Sequence, residues 1–393
     1  MIEPLAFRES RRLASVQTPV IPIVSRWIGE SPGTVSLGQG IVSYGPPPQA
    51  LEALKQFPAA ADDHRYGPVE GLPELIAALE EKLRRENGIA GAPDSRVVVT
   101  AGSNLAFLNA ILAVTDPGDE VIFQAPYYFN HEMAVVIAGC RAVAVATQPD
   151  GQLDIDAIKD AITPRTRAVI TVSPNNPSGA VYPEAALRAV NALCAARGVF
   201  HIHDEAYEYF TYDGLPHFSP GSIAGASSHT ISLYSLSKAY GFASWRIGYM
   251  VIPAGLWSAV NKIQDTDLIC APTISQRVAI EALKMGRSYC AQYVPELDHM
   301  RRLMFDALHD PSVPCDVSLC QGAFFYFIRV HTALDAMTLT ERLIREHKVA
   351  VIPGSAFGKT TGCYVRISFG ALDRGRAADG IGRLVNGLKA IAG

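Results

Sequence analysis

The sequence has no marked excess of charge of either sign and no paired cysteine motif. Its 34 lysines and arginines are balanced by 38 aspartates and glutamates, which gives a formal net charge of −4. Proteins that bind nucleic acid through its phosphates need a basic excess, so we expect no nucleic-acid partner. The seven cysteines form an odd set without a CxxC pair. This pattern indicates neither a disulfide framework nor a zinc site, and we predict reduced cysteines and no bound metal.

Long apolar runs and targeting signals are also lacking. No run of apolar residues reaches the length that spans a bilayer. The opening residues MIEPLAFRESRRL carry Glu3 and lack the cationic start and apolar core of a signal peptide. We therefore expect no membrane partner and a cytoplasmic location. There is no internal repeat and no low-complexity tract.

What the sequence does contain is a regular alternation of short apolar runs with helix-like segments. With 393 residues, 49% of them hydrophobic, the chain can bury a large core and should form two lobes. Most of the runs are too apolar to face water on either side, which is typical of parallel strands covered by helices. We predict an α/β fold with a mostly parallel seven-stranded sheet sandwiched by helices. The predicted strands are 96–101, 120–124, 141–146, 168–173, 200–204, 230–235 and 247–252.

The two ends of the chain differ from its middle. The last hundred residues combine a long amphipathic helix near 294–310 with a helix around 338–347 and strand-like runs. The first 45 residues have a helix-like start and then Pro- and Gly-rich loops. We predict a large domain over 46–285 and a smaller α+β domain built from 1–45 and 286–393.

Polar residues follow the predicted strands where ligands of open parallel sheets gather, at the carboxyl ends. Gly102, Ser103 and Asn104 come directly before an apolar helix, so they can form an anion cradle at a helix N-terminus or simply cap it. Tyr127 and Tyr128 follow the next strand and can stack on a planar ring or belong to the core.

Two further strand ends carry hydrogen-bonding or charged groups. Asn176 lies in the turn-forming string PNNPSG and can donate a hydrogen bond to a ligand oxygen, although the string also reads as a plain loop. Asp204 ends the run FHIHD. A carboxylate buried there needs a cationic partner, and a protonated ring nitrogen would serve.

The stretch YSLSKAYGFASWRIG places one lysine among hydroxyl groups, with an arginine nearby. Lys238 follows a strand, and burial in an apolar pocket would lower the pKa of its amine and make it able to form a Schiff base. Ser235, Ser237 and Arg246 could neutralise a phosphate beside it. The alternative is a surface lysine with its head in water. Arg366, in the run YVRIS, is either a bidentate clamp for a substrate carboxylate or an arginine on an edge strand facing solvent.

Together these segments resemble the class I/II aminotransferases, pyridoxal-phosphate enzymes of fold type I. The segments occur in the order and at the separations usual in that family and extend over essentially the whole chain. They are RYGPVEGLPELIAAL (65–79), TAGSNLA (100–106), APYYFN (125–130), SPNNPSG (173–179), DEAYEYF (204–210), SLSKAYGFASWRIGY (235–249) and VRISFG (365–370).

The resemblance implies roles for the polar residues at the strand ends. Lys238 would carry pyridoxal 5'-phosphate as a Schiff base and shuttle the proton of the 1,3-shift. Asp204 would pair with the pyridinium nitrogen, while Asn176 and Tyr207 would hydrogen-bond the phenolic oxygen. Tyr128 would stack on the ring. The phosphate would be held by Ser103, Asn104, Ser235 and Arg246.

The resemblance also implies partners and substrate contacts. Tyr66 would reach the phosphate in the neighbouring subunit, which implies a homodimer with shared active sites. Arg366 would bind the substrate α-carboxylate beside Asn176, and Gly40 belongs to a loop that closes over the substrate. This chain departs from the family after Gly40, since it reads IVSYG where members usually have a Pro-Asp-Phe-like string. Tyr128 also stands where tryptophan or phenylalanine is common.

The resemblance favours transfer of an amino group from an L-amino acid to a 2-oxo acid. A lyase, decarboxylase or cyclase on the same fold is the alternative, because the protein decides which bond at Cα breaks. A non-catalytic sensor fused to a DNA-binding module is disfavoured, since only about 30 residues precede the small lobe. For the substrate side chain, Arg65 would suit a dicarboxylate. Tyr44, Phe324 and Tyr326 could instead form an aromatic or apolar wall, with a position in the core favoured for Phe324. We favour neutral or aromatic amino acids, with 2-oxoglutarate as acceptor.

Overall fold

The computed structural model describes residues 9–58, 61–91 and 93–392. Residues 1–8, the beginning of the predicted small domain, lie outside the described residues. The strands are β1 Val35–Ser36, β2 Ser95–Thr100, β3 Glu120–Ala125, β4 Arg141–Ala146, β5 Thr166–Val172, β6 Phe200–Asp204, β7 Thr230–Ser235, β8 Gly248–Pro253, β9 Cys315–Asp316, β10 Phe325–Val330, β11 Val349–Ala350, β12 Ile352–Pro353 and β13 Cys363–Ser368.

Helices precede, separate and follow these strands. They are α1 Arg11–Ala14, α2 Val20–Glu30, α3 Pro48–Leu51, α4 Pro73–Lys82, α5 Ser103–Val114, α6 Phe129–Ile137, α7 Ile155–Ala161, α8 Glu184–Arg197, α9 Leu236–Ala239, α10 Trp257–Asp267, α11 Thr273–Met285, α12 Arg287–Ala291, α13 Val294–Leu308, α14 Ala336–His347 and α15 Arg374–Ala392. Within the three described ranges, no helix has the length and apolar character needed to cross a membrane.

The large sheet contains all seven strands predicted from the sequence. Its strand order is β2-β8-β7-β6-β5-β3-β4. Only β8 runs antiparallel to its neighbours, β2 and β7. The other neighbouring pairs are parallel. The predicted α/β fold with a mostly parallel sheet is therefore confirmed.

Helices cover both faces of this sheet, as the apolar character of its strands requires. On one face, α5 buries Phe107 and Ile111 against strand residues such as Ile202. On the other face, α8 buries Leu187 and Val190. These two layers fix where each strand ends and each following helix begins. Side chains at the carboxyl ends of neighbouring strands are consequently held on a rigid frame.

The N-terminal segment joins the C-terminal segments in a second, smaller assembly. The four-stranded sheet β12-β13-β10-β9 is antiparallel. β1 pairs in parallel with β11, so Val35 lies opposite Val349. The α2 helix packs on α14 and β12. These contacts agree with the small lobe expected from the sequence, while the boundaries at 45/46 and 285/286 stay predictions.

Candidate active site

A cavity of about 760 Å³ opens where β5, β6 and β7 of the large sheet end. Of the residues that the resemblance assigns to the cofactor, the reaction or the α-carboxylate, all except Tyr66 line it. The lining residues among them are Gly40, Ser103, Asn104, Tyr128, Asn176, Asp204, Tyr207, Ser235, Lys238, Arg246 and Arg366. Because carboxyl ends of parallel strands meet at one edge of a sheet, residues distant in sequence converge here. Arg366 comes from the small sheet, so the cavity lies between the two sheets.

Lys238 lies on α9, directly after β7, and its amine is held inside the cavity. Its Nζ donates to the carbonyl oxygen of Gly40 at 2.6 Å. Burial lowers the pKa of Lys238 to about 8, with further lowering from the positive charges of Arg366 and Arg246 and an opposing effect of Asp204. The alternative of a surface lysine is therefore wrong. A substantial share of the amine is neutral near physiological pH, as a nucleophile requires.

Asp204 is the last residue of β6 and is only 4% exposed. Its Oδ1 accepts a hydrogen bond from the backbone N–H of Ala206 at 2.9 Å. Its Oδ2 lies 3.1 Å from Nε2 of His131, a contact that lacks hydrogen-bond geometry. The His131 ring stacks on Phe107 with centroids 4.0 Å apart. His131 was missed in the sequence, where it stands beside Glu132 in the first turn of α6 and no motif marks it.

Arg366, Asn176 and Tyr207 form a hydrogen-bonded chain along one side of the cavity. Nη1 of Arg366 donates to Oδ1 of Asn176 at 2.9 Å, and Nδ2 of Asn176 donates to the hydroxyl of Tyr207 at 3.3 Å. The guanidinium lies over the rings of Phe325 and Phe357, at 4.6 and 5.0 Å from their centroids. The chain therefore fixes a cation beside two uncharged hydrogen-bonding groups.

Arg366 itself is buried and incompletely satisfied. It lies on β13, between β12 and β10, and is 3% exposed, so the alternative of an edge-strand arginine facing solvent is wrong. Nη2 donates to the carbonyl oxygen of Gly38 at 2.8 Å, but Nε has no hydrogen-bond partner among the described residues. Burial lowers the pKa of Arg366 to about 10. An anion in the cavity would compensate this desolvated charge.

The opposite end of the cavity has the features of an anion site. Arg246 has a positive φ of 56°, and its Nη2 donates to the carbonyl oxygen of Ala101 at 3.0 Å. A Cβ at Gly102, where φ is 90°, would lie 2.2 Å from Nη2 of Arg246, so only glycine allows this approach. Ser103 begins α5 beside it, and the first N–H groups of a helix have no partner within the helix. Ser235 adds a hydroxyl and caps α9 by accepting from the N–H of Ser237 at 3.2 Å.

Comparison with known proteins decides the family. The sequence pattern of the family "Aminotransferase class I and II" matches residues 32–384. The chain belongs to this family. Its activity is the transfer of an amino group.

Two curated relatives of this aminotransferase act, by their names, on different amino acids. This chain is 35% identical to the aromatic aminotransferase ISS1 of Arabidopsis thaliana, over 97% of its own length and 96% of the relative's. It is 34% identical to the aspartate aminotransferase of Pyrococcus abyssi, over 85% and 87%. A solved double mutant of Thermus thermophilus aspartate aminotransferase superposes with a TM-score of 0.88 at 32% identity, covering 98% of this chain and 100% of that one. The family match thus establishes the reaction and leaves the side chain of the substrate open.

Not every predicted residue of the aminotransferase lies in the cavity. Tyr66 is 80% exposed and lines another cleft, together with Arg65. Of the tyrosines after β3, Tyr128 lines the cavity and accepts from Nδ2 of Asn130 at 2.8 Å. Tyr127 packs with its ring 5.7 Å from that of Phe123.

The wall proposed from Tyr44, Phe324 and Tyr326 is wrong, whereas the core position favoured for Phe324 is confirmed. Phe324 and Tyr326 are 0% and 1% exposed in the core. Tyr44 stacks on Tyr293 with centroids 3.8 Å apart, and its hydroxyl donates to the carbonyl oxygen of Lys238 at 2.9 Å. All three residues are absent from the cavity lining among the residues that the structure describes. Their positions depend on the packing of the small lobe, which the local sequence does not reveal.

A second polar cluster lies next to Asp204, but its buried carboxylates are balanced by neighbouring hydrogen-bond donors and by a lysine. Glu205, 1% exposed, accepts from Nε2 of His217 at 2.8 Å and from the hydroxyl of Tyr234 at 2.8 Å. Burial raises the pKa of Glu205, but hydrogen bonds, first of all from His217, lower it to about 2. Glu205, Glu208 and His217 could together hold a metal ion. The ammonium of Lys82, however, donates to Glu208 at 2.6 Å and supplies the positive charge there.

Proposed function

We propose that this aminotransferase uses pyridoxal 5'-phosphate, attached to Lys238, to move an amino group from an L-amino acid to a 2-oxo acid. The observation that carries the proposal is the convergence of three groups in one cavity. These are an amine whose pKa is lowered, a buried carboxylate at Asp204 and an anion site around Arg246. The cytoplasmic location predicted from the sequence stays a prediction.

The residues present fit the cofactor chemically. The approach of Arg246 to Gly102, the start of α5 and the hydroxyl of Ser235 suit a phosphate dianion. Asp204 suits a protonated ring nitrogen. When bound, the cofactor supplies an electron sink that makes the Cα proton of an amino acid acidic.

The side chains of the cavity would divide the remaining work. Lys238 would take the proton from Cα of the amino acid and deliver it to C4′ of the cofactor, which completes the 1,3-proton shift. Asp204 would keep its negative charge opposite the ring nitrogen, and Asn176 and Tyr207 would hydrogen-bond the ring oxygen. Tyr128 would cover one ring face. The buried cation of Arg366 would bind the α-carboxylate, which also offers an acceptor to the unpaired Nε.

We propose a homodimer with shared active sites. Tyr66 is 80% exposed on the surface of one chain, outside the lining of the cavity. In a dimer Tyr66 would reach the phosphate of the neighbouring subunit. Sedimentation equilibrium of the purified protein would measure this assembly.

The attachment of the cofactor is expected to depend on pH through Lys238. The folded pKa, about 8, lies below the ordinary value of 10.5, so the neutral amine that attacks the aldehyde predominates above pH 8 and is lost below it. The rate of loading of apo-protein should therefore rise up to about pH 8 and then level off. Visible absorbance after mixing apo-protein with pyridoxal 5'-phosphate measures this rate. A rise that continued unchanged through about pH 10 would contradict the lowered pKa.

Replacing Arg366 with lysine is expected to raise KM for the amino acid more than it lowers kcat. Lysine keeps the charge but loses the planar fork that can hold a carboxylate through two hydrogen bonds. Charge-assisted hydrogen bonds contribute about 1.5–3 kcal/mol, so kcat/KM should fall about 10- to 150-fold. The matched control is Arg329→Lys, on the exposed side of the neighbouring β10. An equal effect of both substitutions would speak against a carboxylate clamp.

A further inference from the structure

We propose that an apolar wall in the cavity, formed by one face of α2 together with Ile41, selects amino acids with a large uncharged side chain, aromatic or aliphatic. This inference rests on the proposed function, because it names the substrate class of the same site. The helix was not connected with the site by any motif in the sequence. Its place in the cavity becomes visible only in the folded chain.

The α2 helix contributes apolar side chains both to the core of the small lobe and to the cavity. Val20, Val24 and Trp27, spaced i, i+4 and i+7, are buried in a cluster of the small lobe. This stripe anchors the helix. Val20 and Val24 also reach the cavity, and Ile21 and Ile28, at the i, i+7 spacing, extend the lining with Ser25 between them. The same anchoring that stabilises the small lobe thus holds a row of apolar groups over the site.

The wall exposes apolar surface next to the reactive amine. Ile21 is 38% exposed and Ile41 is 39% exposed, although both line the cavity. Ile41 follows Gly40, whose carbonyl oxygen accepts the hydrogen bond from Nζ of Lys238 at 2.6 Å. It also begins the string IVSYG, where this chain departs from the usual family pattern. Covering such surface with a ligand side chain is favourable, at about 25 cal/mol per Å².

The charges in the cavity disfavour an acidic side chain on the substrate. Among the residues that the structure describes, the basic side chains in the lining are Lys238, Arg246 and Arg366. Each of them already has a proposed partner. Lys238 would bind the aldehyde of the cofactor, Arg246 its phosphate, and Arg366 the α-carboxylate of the substrate. A second carboxylate on the substrate would therefore lose its hydrating water beside the isoleucines of the wall and would find no further cation of this chain to pair with.

The test compares amino acids in half-reactions of the holoenzyme, followed at the absorbance of the cofactor. We expect kcat/KM for L-phenylalanine to exceed that for L-alanine and L-aspartate by about tenfold or more. Ile21→Ala should lower kcat/KM for L-phenylalanine about tenfold. The value for L-alanine should stay nearly unchanged, because its methyl group is too small to contact the wall. The matched control is Leu215→Ala, which shortens a surface leucine that is 36% exposed outside the cavity lining.

A charged variant gives the reverse effect. Ile21→Arg places a cation on the wall, so it should lower kcat/KM for L-phenylalanine and raise it for L-aspartate. Faster reaction of the wild type with L-aspartate than with L-phenylalanine would overturn the inference and leave the proposed function intact. So would an equal loss for L-phenylalanine and L-alanine in Ile21→Ala. Absence of turnover with every amino acid would overturn the proposed function and the role of the wall with it.

Discussion

Replacing Lys238 with alanine is expected to lower turnover by about 10⁴-fold or more. Proton transfer by a positioned side chain is worth about 10²- to 10⁴-fold on its own, and this residue would also hold the cofactor covalently. Within the part of the chain that the structure describes, the side chain makes one hydrogen bond, to the carbonyl oxygen of Gly40, so its removal should leave the fold intact. Turnover of an amino acid with 2-oxoglutarate and the circular dichroism spectrum measure the two effects.

Borohydride treatment of the holoenzyme locates the amine directly. We expect a pyridoxyl group on the peptide that contains Lys238 in the wild type and no label there in Lys238→Ala. Lys82 provides a demanding comparison, because it is also buried, at 4% exposure, but its ammonium is held by Glu208 and Asn87. Lys262→Ala, on an exposed position of α10, is the control for loss of a lysine. A label on the Lys82 peptide would refute the assignment of Lys238.

Replacing Asp204 with asparagine is expected to lower kcat by about 150- to 5000-fold. Asparagine has nearly the same shape but cannot balance a protonated ring nitrogen, and removing one member of a buried charge pair costs about 3–5 kcal/mol. The loss should fall mainly on kcat, because the α-carboxylate is bound elsewhere, by Arg366. Steady-state kinetics with one amino acid at varied concentration separate kcat from KM.

The neighbouring carboxylate supplies a matched control for Asp204. Glu205 is buried as deeply, but its hydrogen bonds come from His217, Ser219 and Tyr234 in a separate polar cluster. Glu205→Gln should therefore lower the melting temperature while changing kcat little. If Glu205→Gln lowered kcat as much as Asp204→Asn, the loss would reflect general disturbance of this strand end and not a charge opposite the ring.

The reaction class was accessible from the sequence because its signals are local. Each strand is a short apolar run, and the residue that follows it is fixed by the chain itself. Asp204 and Asn176 could therefore be assigned to one edge of a sheet from the strand pattern alone, and the parallel pairing of β5 with β6 agrees with that assignment. The comparisons confirm the family and the amino-group transfer that the resemblance of the motifs implied, and they disfavour the lyase, decarboxylase or cyclase alternative.

The sequence by itself determined the large sheet, the polar strand ends and the family, since these depend on neighbours along the chain. Tertiary structure alone decided which side chains from distant segments face the cavity. Packing of the small lobe buried Phe324 and Tyr326, and the folded chain brought His131 to Asp204 and turned Ile21 of α2 towards the site. Such contacts depend on how separate elements pack against each other, and periodicity within one element does not encode that relation.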